Sequence, residues 1–392
     1  MKQRKGIKKF VFAWGVLLLL AVSSPQVSAM ETGSDTASEV LAEEIYAEQY
    51  QASGADGLME AVPESAEETL ERLGISQADW SALRELSAES VGRELSATAG
   101  EAAKYPIQAA ACIVGILLLC ALLTGLDNGT RFTGGVINLI GTLSVCTALI
   151  YPISACMTEA ARLVEGASVF ILACVPVLTG LLAAGGQPTA AASYSFWMLG
   201  AGNLISVFSA VILLPLLHVF LTFSLVSGIS PQIRLQGFCD LFSKVIKWVL
   251  GLTTTVFSAV LGMQTLVTST ADVTGTRAVR FMVSSAVPIV GSALGDAAAT
   301  VQGCVRFLKS GSGAFALLAG GVIFVPILLK CLFWVLTCQV CAGIGDLFSL
   351  SALSCILRAA GKTVEILLVI LLCCLTVLLV AGVVVVMGGN SA

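Results

Sequence analysis

Apolar stretches of about 20 residues without a charged side chain recur from residue 105 onward, and they constrain the fold of this chain more than any other feature. A stretch of that length crosses a bilayer as a single helix. The 392 residues are 57% hydrophobic and only 12% charged, whereas a soluble domain carries about 25% charged residues. Because the apolar stretches are continuous and do not alternate, the sequence predicts an all-α, multi-pass helical membrane protein and not a β-barrel.

The hydropathy pattern predicts about six to eight membrane segments. Two apolar pieces, 167–184 and 281–295, are shorter than the others and are interrupted by Pro176 and Pro288, which predicts proline-broken helices there. The stronger candidates for spans are 107–126, 136–157, 197–226, 246–267, 314–336 and 364–387.

Residues 1–29 have the composition of a cleavable signal peptide. A lysine- and arginine-rich start precedes the apolar run 10–22, and Val27-Ser28-Ala29 supplies the small residues that a signal peptidase reads. We therefore predict cleavage after Ala29 and an extracytoplasmic mature N-terminus. The alternative is an uncleaved signal anchor.

Residues 30–104 form a separate, acidic region with 17 acidic and 4 basic side chains, a net charge of −13. This charge repels phosphate and excludes a nucleic-acid partner. The pattern predicts a small extracytoplasmic region that is helical or partly disordered, with helices at 37–50 and 65–74. Ser65 is the expected N-cap of the second helix and Gly74 its stop. Residues 105–392 are the predicted polytopic membrane domain.

An internal tandem repeat is predicted within the membrane domain, with copies at about 136–247 and 248–362. FILACVPVLTGLLAAGG (170–186) is similar to FMVSSAVPIVGSALGDA (281–297). Chance similarity between apolar sequences is the alternative. Whether these two pieces span the membrane or re-enter it stays open, although the re-entrant arrangement places more Lys and Arg in cytoplasmic loops, as is usual.

The second of these pieces contains most of the candidate functional residues. Arg277 and Arg280 lie on one helical face, and Gly291-x-x-x-Gly295 has the spacing that lets membrane helices approach closely. We interpret the piece as a pore-lining or subunit-contact element in which the arginines pair with Asp296. The alternative is that both arginines reach lipid headgroups and Asp296 lies in a loop. The candidate residues are Arg277, Arg280, Pro288, Gly291, Gly295 and Asp296, with Pro176 and Gly180 in the first copy.

Motifs for catalysis or for cofactor binding are missing from the sequence. The single histidine, His218, lies in a predicted span and is interpreted as a packed residue, and Cys338-x-x-Cys341 lies in an apolar run without a second pair. The sequence thus predicts no enzyme, no cofactor and no metal site. Local ion pairs are expected within Glu159-Arg162-Glu165 and between Lys362 and Glu365.

The order of motifs between residues 261 and 310 resembles the signature region of the stage III sporulation protein AE family. The residues that carry this resemblance are the lead V-T-G-T-R-A-V-R-F (273–281), V-P-I-V-G (287–291), the Asp296-Ala297 pair with Thr300, and Lys309. Residues 326–366 resemble a later segment of the family. Absence of a proline in AGIGDL (342–347) and the thirteen cysteines depart from the family pattern.

The resemblance implies a non-enzymatic integral membrane subunit of a secretion-like channel between mother cell and forespore, needed for endospore development and late forespore gene expression. It implies the mother-cell membrane around the forespore as location. The implied partners are other membrane subunits of the same sporulation complex, further copies of this chain, and the lipid bilayer. Two alternatives remain: a stand-alone secondary transporter or channel for a small solute, and a membrane scaffold that recruits partners through its acidic region.

Overall fold

The computed structural model describes residues 50–75 except Ala52, 88–126, 131–184, 187–207, 217–222, 243–260 and 291–387, together with positions 215, 241 and 263. The chain divides into two compact units, Met1–Ala47 and Glu48–Ala392. All described residues belong to the second unit. The predicted signal peptide, the predicted helix 37–50 up to residue 49, and Arg277, Arg280 and Pro288 lie outside the described residues.

Every regular element in the described part of the chain is helical, as the sequence predicts. A short 3₁₀ turn, Ala55–Leu58, precedes the α-helices. These are α1 (Glu64–Arg72), α2 (Ala88–Leu126), α3 (Arg131–Ala184), α4 (Pro188–Val207), α5 (Gly291–Leu347) and α6 (Ser351–Met387). Residues 217–222 and 243–260 are also helical.

Helix α1 confirms the helix predicted at 65–74, with one correction at its start. Gly74 adopts φ +82°, and the amides of Gly74 and Ile75 bond back to the carbonyls of Glu71 and Leu70, at 2.9 Å each. This is the Schellman motif that glycine favours at a helix end. The N-cap is Pro63 and not Ser65, because Pro63 has the extended backbone (ψ 138°) that the residue directly before a helix adopts, and the helix already begins at Glu64.

Four of the α-helices in the described part are long and apolar enough to cross a membrane: Glu89–Leu126, Val136–Ala184, Gly311–Leu347 and Ser351–Val380. This confirms the helical membrane class but not the predicted number of six to eight segments, the repeat or the signal peptide. Helices α2, α3, α5 and α6 pack against one another, and α4 packs on α3.

The helix break predicted at Pro176 is wrong, whereas the one predicted at Pro288 lies outside the described residues and stays a prediction. Pro176 lies inside the continuous helix α3, which joins the predicted pieces 136–157 and 167–184 into one element of 54 residues. Pro106 and Pro326 also lie inside helices. Proline removes only one backbone hydrogen bond, and a helix surrounded by packed neighbours tolerates that loss. On both sides of Pro176, buried Val175 and Val177 hold the helix in place.

Helices α5 and α6 form an antiparallel hairpin that ends in a tight turn. Ser349 adopts φ +58°, and the Leu350 amide bonds to the Gly345 carbonyl at 2.9 Å. Along the hairpin, Gly345 lies beside Ser354, Gly361 beside Cys338, and Gly320 beside Leu378. These contacts keep the two helices in register over most of their length.

Candidate membrane and subunit interface

Helix α3 consists of two apolar parts separated by a charged segment. The first half (136–157) and the second half (167–184) flank residues 158–166, which contain Glu159, Arg162 and Glu165. Because a bilayer core has no place for unpaired charges, this charged segment marks a boundary along the helix.

The first half of α3 exposes large apolar side chains to its surroundings. Leu143 is 49% exposed and Ile140 is 59% exposed. Neighbouring helices expose similar side chains in the parts that pack beside this half. The exposed large residues are Leu118, Leu119, Leu122, Leu123 and Leu126 on α2, and Leu332, Leu336, Val340 and Leu347 on α5. Together they form a surface that fits lipid acyl chains and does not fit water.

The second half of α3 directs its large side chains inward. Nine of its apolar residues are buried, and Val169 is its only exposed large one in the described part of the chain. Its outer face instead carries small side chains at Pro176, Gly180, Ala183 and Ala184. The two halves therefore have similar composition but different surroundings.

Residues 50–75, here called the N-terminal segment, cover part of this second half. A Cβ added at Gly166 would lie 3.1 Å from the Pro63 ring, and one added at Gly54 would lie 3.9 Å from Val177. Helix α1 also contacts α5, and the 3₁₀ turn contacts α3. The segment buries its apolar residues in these contacts: Ala55, Leu58, Val62, Ala66, Leu70 and Ile75.

A salt bridge ties the N-terminal segment to α2. Arg72 lies 3.2 Å from Glu94, and the Glu94 side chain is 19% exposed whereas that of Arg72 is 56% exposed. Such a partly exposed pair contributes at most about 1 kcal/mol. Its main role is to fix the position of α1 beside the first turns of α2.

Two ion pairs connect helices that are distant in sequence. Lys330 of α5 pairs with Glu159 of α3, and Lys247 pairs with Glu365 of α6 at 2.5 Å. The side chains of Lys247 and Glu365 are 28% and 21% exposed. Charges at such positions are expensive unless they are paired, so each bridge fixes the register of two helices.

Near the α5–α6 turn, another ion pair joins Arg358 and Asp346. This pair is mostly exposed, at 62% and 43%, and it links the two arms of the hairpin. The sequence pattern pointed to partners along the same helix for Glu159 and Glu365. In the structure both residues reach across to another helix.

Several described glycines lie at close contacts between helices. A Cβ at Gly141 would lie 2.5 Å from the Cys120 sulfur, and one at Gly382 would lie 2.7 Å from Leu317. Gly345 and Gly361 contact Ser354 and Cys338 in the same way. Small residues at such positions let membrane helices approach closely.

The cysteines in the described residues are free, and most lie within helix interfaces. Cys156 of α3 and Cys331 of α5 place their sulfur atoms 3.7 Å apart, one turn from the Glu159–Lys330 pair. Cys338 and Cys341 are fully buried. Within the ranges that the structure describes, no group of three or more potential ligands is placed to hold a metal ion.

The predicted site residues fall into three groups. Pro176 and Gly180 lie on the outer face of α3, and a Cβ at Gly180 would meet no described atom within 4 Å. Gly291, Gly295 and Asp296 belong to the backbone of α5, and their side chains are not among those described. Arg277, Arg280 and Pro288 lie outside the described residues, so the predicted pairing of the arginines with Asp296 stays a prediction.

Sequence reasoning missed the glycine contacts of α5 and α6 and the partners of Glu159 and Glu365. A signal for one of the ion pairs was available, because Lys330 is the lone charge within an otherwise apolar run. No pattern distinguished Gly320, which contacts Leu378, from Gly321, which contacts nothing within 4 Å in the described part.

Comparison with known proteins agrees with the resemblance noted from the motifs. A model of the family described as Stage III sporulation protein AE matches residues 81–389. A curated protein from Bacillus subtilis (strain 168), described as Stage III sporulation protein AE, is 27% identical over 144 residues, which is 37% of this chain and 36% of that protein. The match thus leaves most of the relative's length uncovered. No solved structure matches the chain significantly.

Proposed function

Because the chain belongs to the stage III sporulation protein AE family, we propose that it is a non-enzymatic integral membrane subunit of the channel complex between mother cell and forespore. The family match over residues 81–389 is the observation that carries this proposal. The match includes the four helices of the described part that are long and apolar enough to cross a membrane. A sporulation membrane protein is thereby established, and its place in a channel is our proposal.

The use of polar side chains in the membrane domain supports a subunit and not an enzyme. Glu159, Lys330, Lys247 and Glu365 are engaged in bridges between helices. Glycines serve helix contact, and most of the cysteines lie in packed positions. These residues build a rigid, closely packed body of the kind that a multi-subunit assembly requires.

We place the chain in the mother-cell membrane around the forespore, with its acidic N-terminal region extracytoplasmic. Other membrane subunits of the same complex are its partners, and further copies of the chain are also candidates. The acidic region then faces the space between the two membranes. The exposed small residues Pro176 and Gly180 on α3 are candidates for contact with a partner helix.

Co-purification from sporulating cells tests the central proposal. The tagged full-length chain, isolated at late engulfment, is expected to retain the other membrane subunits of the complex at fixed stoichiometry. A strain lacking the chain is expected to lose late forespore gene expression. A chain that purifies alone from such cells, with normal spore yield in its absence, would contradict the proposal.

The candidate element around residues 277–296 has its own test. Replacing Arg277 and Arg280 together by alanine is expected to block assembly or passage while the chain still inserts into the membrane. If Arg280 pairs with Asp296, Asp296→Arg is harmful and a charge swap with Arg280→Asp restores function. Normal spore yield from a stably expressed double alanine variant would reject the role of these arginines.

Two simpler experiments separate the alternatives. Saturable solute uptake by the purified chain alone, in liposomes, would favour a stand-alone transporter. For a scaffold acting through its acidic region, deletion of residues 30–47 is cleaner than deletion of 30–104, because α2 is continuous across Lys104 and Tyr105. Loss of partner recruitment after deletion of residues 30–47, from a chain that still inserts into the membrane, would favour the scaffold.

A further inference from the structure

The tight α5–α6 turn (348–350) is a reference point for the direction of the other helices. Gly141 of α3 lies beside Leu353 at the start of α6 and beside Cys120 near the end of α2. The end of α2, the start of α3 and the α5–α6 turn therefore lie at the same end of the bundle, which is called the turn end below.

A contact farther from the turn end shows that α3 runs parallel to α6. Cys156 of α3 meets Cys331 of α5, with the two Sγ atoms 3.7 Å apart. Cys156 lies 15 residues after Gly141, and Cys331 lies 16 residues before Leu347, the last residue of α5. Helices α3 and α5 thus run in opposite directions. Because α5 and α6 also run in opposite directions, α3 and α6 share one direction.

Helix α2 has the direction of α5. A Cβ at Gly345 would lie 3.6 Å from Leu117, and the Thr337 hydroxyl donates a hydrogen bond to the Pro106 carbonyl at 3.4 Å. From the first contact to the second, the chain goes back 11 residues along α2 and eight along α5. The first turns of α2 therefore point away from the turn end, toward what is called the far end below.

The N-terminal segment lies toward the far end. Pro63 lies beside Gly166 of α3, which is farther from the turn end than the α3 contacts described above. Arg72 pairs with Glu94 of α2, 12 residues before Pro106. Both contacts lie beyond the middle of the bundle, on the side where α2 begins.

The last turns of α6 lie at the same end as this segment. Gly166 lies ten residues after the Cys156–Cys331 contact on α3, and Gly320 lies eleven residues before it on α5, so the two glycines are nearly level. Gly320 in turn lies beside Leu378 of α6, and α6 continues for nine residues beyond Leu378. The end of α6 and the N-terminal segment are therefore at one end of the bundle.

Basic residues indicate which side of the membrane each end faces. Arg131 begins α3 at the turn end, and Arg358 and Lys362 lie in the first turns of α6. Residues 366–392, by contrast, contain no Lys or Arg. Since Lys and Arg are enriched at the cytoplasmic flanks of membrane helices, the charges favour a cytoplasmic turn end and an extracytoplasmic far end.

From these observations we propose that the N-terminal segment and the end of α6 lie together on the extracytoplasmic side. There they form one surface for a protein partner in the space between the membranes. The assignment of this side rests on the proposed function, which makes the N-terminal region extracytoplasmic, whereas the shared end of the bundle follows from the contacts alone.

The exposed side of the N-terminal segment suits a protein and not a lipid. It carries the acidic side chains of Glu60, Glu64, Glu68 and Glu71, which are all exposed. Carboxylates at this density do not lie among acyl chains. A subunit that approaches from the space between the membranes would meet this side and the end of α6 together.

Protease protection of epitope tags tests the side on the full chain. One tag is inserted after Ser34, after Asn128 between α2 and α3, or after Gly389 beyond α6. Protease added to intact spheroplasts is expected to remove the tags after Ser34 and Gly389 about tenfold faster than the tag after Asn128, because a polar protease does not cross the hydrocarbon core. Insertions after Gly129 and Ser391 are second variants for the case that a first one does not fold.

Each outcome of this test bears on a different statement. Cleavage after Ser34 with protection after Gly389 would overturn the inference and leave the proposed channel role untouched. Protection of both tags would overturn the extracytoplasmic placement of the N-terminal region, and the inference with it. Failure of the co-purification experiment leaves the result of the tag experiment unchanged.

Photo-crosslinking in sporulating cells tests the shared surface. A benzophenone amino acid at Glu68 or at Val383, near the end of α6, is expected to capture the same protein, identified by mass spectrometry as one with an extracytoplasmic domain. The control position is the exposed Ser349 at the turn end, which should not capture that protein. Phospholipid adducts alone at position 68, or capture of the same protein at position 349, would overturn the partner surface.

Discussion

The two halves of α3 have nearly the same composition but different structural roles. Residues 136–157 expose large apolar side chains, whereas residues 167–184 bury theirs under other parts of the chain. The difference shows that apolar composition measures the tendency to leave water and does not identify what replaces the water. In one half the replacement is suited to lipid, and in the other half it is protein.

The N-terminal segment explains how the second half of α3 can be covered by protein while the first half exposes its apolar side chains. Its acidic side chains are exposed on its outer face, while Leu58, Leu70 and Ile75 are buried against the helices. A segment that looks independent in sequence is thus part of the same body as the membrane helices. The following predictions test this contrast between the two halves.

A lysine at matched exposed positions should separate the halves most strongly. Leu143→Lys places a charge in the lipid-facing half and is expected to cost about 3 kcal/mol in membrane insertion. Val169→Lys places it in the second half, one turn from the exposed Glu165, and is expected to change stability by less than about 0.5 kcal/mol. Insertion is measured as the carbonate-resistant fraction, and unfolding as the midpoint in detergent. Similar losses for both variants would remove the distinction between the halves.

Added volume, unlike charge, should be harmful where α5 and α6 are in contact. Gly320→Ala places a methyl group against the Leu378 side chain and is expected to cost about 1–3 kcal/mol through overpacking. The matched control is Gly321→Ala, where a Cβ meets no described atom within 4 Å. It should be neutral or stabilising by up to about 1 kcal/mol, since alanine favours helix.

These two glycine variants are compared by thermal unfolding in detergent. A lower midpoint for Gly320→Ala with an unchanged or higher midpoint for Gly321→Ala is the expected result. If both variants behave alike, the α5–α6 contact at Leu378 is not a close one in the folded protein.

The contact that holds the N-terminal segment against α3 can be weakened without changing the first half of that helix. Gly166→Leu pushes against Pro63, which a Cβ would approach to 3.1 Å, and should weaken docking of the segment by about 1–2 kcal/mol. Limited proteolysis should then cut within residues 50–75 several-fold faster. Gly180→Leu, on the same helix and in open surroundings, is the control. Unchanged proteolysis of the Gly166→Leu protein would show that the segment is held elsewhere.

The smallest effect is expected at the ion pair that lies between the halves. A double-mutant cycle of Glu159→Gln and Lys330→Met should give a coupling of about 0.2–1 kcal/mol, because these side chains are 50% and 26% exposed. The coupling should decrease as salt is added, since exposed pairs are screened. A coupling of zero at low salt would mean that the pair does not fix the register of α3 and α5.

Local rules predicted the elements whose determinants lie close together in sequence. Gly74 ends α1 because only a residue that adopts positive φ easily fits that position. A short stretch of sequence is enough to predict this helix end. The class of helical membrane protein follows from hydropathy alone, and the family follows from the motifs between residues 261 and 310. The continuous helix at Pro176 could not be predicted in this way. Proline weakens a helix locally, but buried neighbours on both sides keep it intact.

Contacts between residues that lie far apart along the chain could not be predicted from the sequence. Glu159 pairs with Lys330, 171 residues away, and Lys247 pairs with Glu365, 118 residues away. Gly320 and Gly321 are chemically identical, and only the position of Leu378 makes one of them a contact point. Whether a glycine is a contact point therefore depends on which faces of the helices pack against each other.

By itself, the sequence determined that the chain is helical, that it inserts into a membrane and that it belongs to a sporulation family, because length, hydropathy and motif order are properties of the linear chain. Only the tertiary structure decided which apolar residues meet lipid and which meet protein. The reason is that the hydrophobic effect has no direction. Packing, and not composition, assigns each apolar surface its partner.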